Sequence, residues 1–112
     1  MTPQPLDLKL TPESRDRFLN FLSGITEYPP TLCLMKAVRF DEPDGYWTYG
    51  AYGPQNIEGV TPMLKEHGHP LLYSVDGMVI AIPQPQFVPE LVGKTLALGN
   101  GRLLVLKRGS DA

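Results

Sequence analysis

Two turn signatures frame the most constrained stretch of the chain, VDGMVIAIPQPQFVPELVGKTLALGNGRLLV from Val75 to Val105. Leu71–Val75 and Met78–Ile82 are apolar runs separated only by Asp76 and Gly77, and an Asp-Gly pair between such runs predicts a tight β-hairpin. Lys94–Leu98 and Arg102–Leu106 repeat the pattern around Gly99, Asn100 and Gly101, residues that tolerate the positive φ angles of a three-residue turn. Between the hairpins, PQPQFVPELVG holds too many prolines for a regular strand. Phe87, Val88, Leu91 and Val92 instead predict one short helical turn with an apolar side, ended by Gly93.

Twelve prolines and eleven glycines cut the remaining chain into short pieces, which favours short strands joined by turns and disfavours long helices. Leu6, Leu8 and Leu10 alternate with Asp7 and Lys9, the period of a strand with three leucines on one face. A helix follows at once: Thr11 suits the N-cap, Pro12 the first helical position and Glu13 the positive end of the helix dipole. Phe18, Leu19, Phe21, Leu22 and Ile25 supply its apolar stripe, and Gly24 supplies a stop. TLCLMKAVRF reads as a mostly buried strand with Cys33 in its interior. A loop is expected over Asp41–Gly45, then a strand from Tyr46 to Tyr52. Trp47, Tyr49 and Ala51 share one face of that strand, and Tyr46, Thr48, Gly50 and Tyr52 the other. From Gln55 to His67, Ile57, Val60, Met63 and Leu64 recur at helix-like spacing, but Gly59 and Pro62 interrupt them, so one or two irregular turns are expected.

A chain of 112 residues is long enough to bury its own core as one domain, 1–112, without disulfide or metal staples. No apolar run approaches the ~20 residues that span a bilayer, so no membrane association is expected. MTPQPLDLKL lacks the basic and then continuously apolar order of a secretory signal, and a single cysteine suits a reducing compartment; the expectation is a cytoplasmic protein. Ten basic against twelve acidic residues give a net charge of -2, which disfavours an electrostatic grip on phosphate backbones and makes nucleic acid an unexpected partner.

The carboxyl-terminal half resembles the A-type iron-sulfur carrier family, also called HesB-like: a strand (Met78–Ile82), a turn (Pro83–Gln86), an apolar helical turn ending in Leu-x-Gly (Phe87–Gly93) and a closing hairpin follow in that family's order. LTPESRDRFLNFL also resembles its opening, a strand running into a threonine-capped helix. The resemblance implies a β-sandwich with an amino-terminal helix. Members of that family hold iron or a cluster through one cysteine in a Gly-rich loop and a Cys-Gly-Cys pair near the carboxyl terminus. Here the loop position, FDEPDGYWTY, has no cysteine, Cys33 lies about ten residues too early, and no Cys-Gly-Cys pair is present. Clusters are held by several thiolates, so carriage by the family's mechanism is not expected.

Other groups were weighed against plainer roles. His67 and His69 in HGH point the same way on an extended segment, but no third or fourth ligand sits at metal-site spacing, so solvated loop histidines are the plainer reading. Cys33, between Leu32 and Leu34, reads as a small core hydrophobe without a neighbouring base. Asp41, Glu42 and Asp44 read as a solvated turn rather than a cation cage. No catalytic triad, phosphate-cradling glycine loop or carboxylate pair is recognisable.

Tyr46, Trp47, Tyr49 and Tyr52 are the candidate partner-binding residues, because tyrosine and tryptophan join large contact area to a polar handle. Either Trp47 and Tyr49 face the core and Tyr46 and Tyr52 face solvent or a partner, or the reverse. The resulting expectation is an α+β, mainly-β domain: a HesB-like β-sandwich of about seven short strands with an amino-terminal capping helix. Its expected role is that of a non-enzymatic binding or adaptor protein with no cofactor and no metal, holding a protein partner or a second copy of itself, as a dimer, by an edge strand or aromatic patch. The alternative is a metal or cluster protein using Cys33, His67 and His69 across a dimer.

Overall fold

The strand Thr31–Arg39 (β3) is apolar on both faces at its start: Leu32 and Leu34 point one way, Cys33 and Met35 the other, and the first three of these are fully buried. Such a strand must be covered on two sides. The computed structural model, which describes residues 2–108, shows how. Beside β3 lie Glu42–Tyr52 (β4) and Met78–Ala81 (β6). With Leu72–Val75 (β5) and Gln4–Pro5 (β1) they form a mixed five-stranded sheet in the order β1-β5-β6-β3-β4. Leu8–Leu10 (β2), Lys94–Gly99 (β7) and Arg102–Lys107 (β8) form a second sheet, β2-β7-β8. The protein is α+β, with eight strands among the described residues rather than about seven; residues 109–112 of the expected domain lie outside the described range.

The main core lies between the sheets. Leu8, Leu10, Leu96 and Leu103 from the smaller sheet meet Leu32, Leu34, Trp47, Tyr73, Val75 and Ile80 from the larger. The helix Pro12–Ser23 (α1) closes it with fully buried Phe18 and half-buried Phe21 and Leu22. Its start is as read from the sequence: Thr11 Oγ1 accepts the Ser14 amide at 3.2 Å and Pro12 opens the helix. Buried Ser14 adds a link to β7, its hydroxyl lying 2.9 and 3.0 Å from the carbonyl oxygens of Thr11 and Leu96.

Three segments depart from their sequence readings. Residues 54–66 form a helix (α2, Pro54–Glu66) instead of irregular turns. Pro54 starts it, the Asn56 side chain accepts the Gly53 amide at 3.2 Å, and Leu64, Ile57 and Val60 cover Cys33, Leu71 and Ala81 on the second face of the larger sheet. That burial outweighs the ~3 kcal/mol penalty of Pro62 inside the helix. The expected loop Asp41–Gly45 is mostly strand: β4 begins at Glu42. Its extra residues are absorbed by a bulge in which Gly45, at φ 76°, sits where a Cβ would lie 2.8 Å from the Ala37 carbonyl oxygen. The leucine-rich amino-terminal strand is split. β1 runs parallel to β5, the Leu6 amide donates to Ser74 O at 3.0 Å, and only then does the chain join β7 as β2.

Both predicted hairpins form, each around two residues of positive φ, Asp76 and Gly77 (47° and 84°) and Asn100 and Gly101 (52° and 75°). The second is thus a two-residue turn, with Gly99 paired to Arg102, and not a three-residue one. A short 3-10 turn, Pro85–Glu90, stands between the hairpins. Leu91 is fully buried, Phe87 and Val88 are half-buried against the core, and Val92 is exposed.

The first hairpin tip also ties the sheets together: the Asp76 carboxylate accepts the Leu10 amide at 3.1 Å, and the Asp76 carbonyl accepts from the Arg15 guanidinium. Asp76→Ala is expected to cost about 1–3 kcal/mol in urea unfolding, since it strands a partly buried amide and puts alanine at positive φ. Asp76→Asn, which tolerates that φ and keeps an acceptor oxygen, is expected to cost less.

Candidate functional site

β4 is the outermost strand of the larger sheet, and a carboxamide fixes which of its backbone groups face outward. Beyond Cys33, β6 no longer pairs with β3, and the side chain of Gln84 continues the ladder: its Oε1 accepts the Lys36 amide at 2.6 Å and its Nε2 donates to the Lys36 carbonyl at 3.1 Å. Lys36 therefore turns both backbone groups away from β4. Its antiparallel partner Trp47 must do likewise, because the two form a non-hydrogen-bonded pair. With a period of two, Tyr49 and Ala51 also present their N–H and C=O to the outside. Among the described residues no hydrogen-bond partner meets these groups.

The four aromatic residues singled out in the sequence do not form one patch. Trp47 is buried in the main core, edge-on to Phe87 with centroids 6.5 Å apart. Tyr49, half-buried, stands edge-on to both Phe18 and Phe21, each at 5.1 Å. Tyr52, placed by alternation on the face opposite Trp47 and Tyr49, packs half-buried against the second core beneath α2. Tyr46, half-buried, lies at the β4–β8 boundary, its ring 4.9 Å from the guanidinium carbon of Arg102.

That contact borders a cleft of about 350 Å³ between α1, β4 and the β7–β8 hairpin, lined by Arg17, Tyr46–Tyr49 and residues 98–103. It is basic: its lining includes two arginines and no carboxylate. Arg102 is held by Glu42, whose two oxygens lie 2.9 and 3.1 Å from Nη2. Arg17 pairs with no carboxylate among the described residues. Sequence reasoning missed both arginines, since each sits in an unremarkable context, a helix interior and a hairpin flank, and only the tertiary fold brings them to one cleft. Exposed apolar side chains include Val38 and fully exposed Phe40 at the β3–β4 tip and Leu104 and Leu106 on β8.

The other candidates do not converge. Asp41 pairs with Arg39 at 3.3 Å while Glu42 turns to Arg102. His67 and His69 are exposed beyond α2, whereas Cys33 is fully buried. Among the described residues no group of three His, Cys, Asp or Glu side chains is arranged to hold a metal. Burial pushes the Cys33 thiol up to about 11, with a hydrogen bond to Tyr52 pulling the other way. Burial likewise pushes Tyr52 up to about 12, reinforced by charge on Cys33 and by the shared hydrogen bond.

No protein-family model, curated protein or solved structure matches this chain.

A thiol held protonated and out of solvent is a packing group, so Cys33 is expected to react with Ellman's reagent only at the rate of local or global opening. The unfolded chain loses the Cys33 proton first, near the ordinary value of 9.0. The stability contributed by keeping Cys33 protonated is therefore fully present below that pH and is lost as pH rises toward about 11. Urea midpoints measured across this window should fall less steeply for Cys33→Ala than for the natural chain.

Proposed function

We propose that this protein is a non-enzymatic protein-binding module, on a scaffold akin to the A-type carriers but without their thiolate ligands. It takes an extended segment of a partner, or of a second copy of itself, as an added strand on β4. The observation that supports this reading is the row of outward N–H and C=O groups at Trp47, Tyr49 and Ala51, on a strand held in register by β3. Strand addition draws affinity from main-chain hydrogen bonds and specificity from alternate side chains entering neighbouring hollows. A pre-formed edge lowers the ordering cost that binding must overcome. Exposed Leu104 of β8, which shares a surface hollow with Tyr46 and Trp47, supplies apolar area near the start of this edge.

Proline tests the reading with little ambiguity. Ala51→Pro removes an outward N–H and spares the β3 ladder, so it is expected to fold with a small stability loss. Thr48→Pro removes a ladder bond to β3 and is expected to destabilise the sheet severely. Extended peptides selected from a displayed random library should protect the Trp47, Tyr49 and Ala51 amides from hydrogen exchange and lose binding to folded Ala51→Pro. Selected peptides that leave β4 exchange unchanged and bind Ala51→Pro equally well would refute strand addition.

A further inference from the structure

Resting on that reading, we infer that the segment added to β4 is acidic, and that one of its carboxylates is held between Arg17 and Arg102. The cleft lies along the outer edge of β4, lined by the four consecutive residues Tyr46 to Tyr49 and, from the facing sheet, by Leu98 and Leu103. A strand added to β4 runs past this edge, and one of its side chains, those pointing alternately to either face, enters the cleft. At about 350 Å³ the cleft accommodates a side chain of glutamate size with water around it.

Its electrostatics select the charge. Two guanidinium groups and no carboxylate line it, and the one acidic group paired with them, Glu42, is outside the lining and meets Arg102 through a single nitrogen. Nη1 and Nε of Arg102 keep their hydrogens without a partner among the described residues. Glu42 and the Tyr46 ring thus fix the orientation of the guanidinium and leave part of its planar fork available, the geometry that recognises carboxylates. Arg17, on the α1 wall, supplies the second cation. A lysine entering the same space meets like charge, and a neutral side chain forgoes the charge-assisted hydrogen bonds.

The test uses three terminally blocked peptides of alternating valine and threonine, identical except for glutamate, glutamine or lysine at one central position. The sole tryptophan of the chain, Trp47, lines the cleft, so its fluorescence reports occupancy, and amide exchange at Tyr49 and Ala51 reports strand addition. The glutamate peptide is expected to bind roughly tenfold more tightly than the glutamine peptide and the lysine peptide more weakly still. In Arg17→Gln, whose side chain makes no structural ion pair among the described residues, the glutamate advantage should shrink to about twofold or less. Equal binding of all three peptides with protected β4 amides overturns the acidic preference and leaves strand addition standing. A glutamate preference unchanged in Arg17→Gln overturns the placement in this cleft. Absence of β4 protection with every peptide overturns strand addition, and this inference with it.

Discussion

Burial of β3 from two sides is the constraint on which the remaining architecture rests. Its first residues alternate between two cores, so the larger sheet needs the smaller sheet and α1 on one face and α2 on the other. The strand is also crowded laterally: β4 pairs along its whole length, while β6 pairs only at Leu32 and Cys33. Past that point Gln84 substitutes for a strand, meeting both backbone groups of Lys36 where they would otherwise be left without partners. The Lys36 side chain finishes the arrangement, lying over the Phe87 ring at 5.1 Å and pairing with Glu90. One carboxamide thereby sets the hydrogen-bonding phase of β3, and through it the phase of the exposed edge two strands away.

What the sequence disclosed was whatever local chemistry decides. Asp76-Gly77 and Asn100-Gly101 impose two consecutive positive φ angles, which few residue pairs accept, and Thr11-Pro12 defines a helix start within three residues. The misread segments are those where distant contacts override local preference. α2 forms across Gly59 and Pro62 because its apolar side covers Cys33 and Ala81, residues far away in sequence. β4 starts early because Gly45 lets the strand bulge instead of ending. The leucines at 6, 8 and 10 alternate correctly, but strand periodicity contains nothing that tells a chain to leave one sheet for another.

The aromatic cluster illustrates the same division at the site. Alternation placed Trp47 and Tyr49 together on one face, and both lie in the main core. Which way Tyr52 turns could not be read from β4 alone, because its cover comes from α2, whose formation depends on distant contacts. Arg17 and Arg102 had no local signal at all; their proximity follows from α1 and the last hairpin closing on the same edge of β4. Meanwhile Cys33, the residue that most invites a chemical role, sits protonated among apolar neighbours with Tyr52 as its polar companion. Its contribution is volume.

The bulge at Gly45 has one more effect. It bends the beginning of β4 away from a straight path, and at the opposite end the backbone turns into α2 immediately after Tyr52. What remains straight and unpaired is the five-residue run from Trp47 to Ala51, about 17 Å at ordinary strand rise. A run of this length leaves only a few outward backbone groups, three N–H and C=O pairs at Trp47, Tyr49 and Ala51, far fewer than a long flat edge would expose.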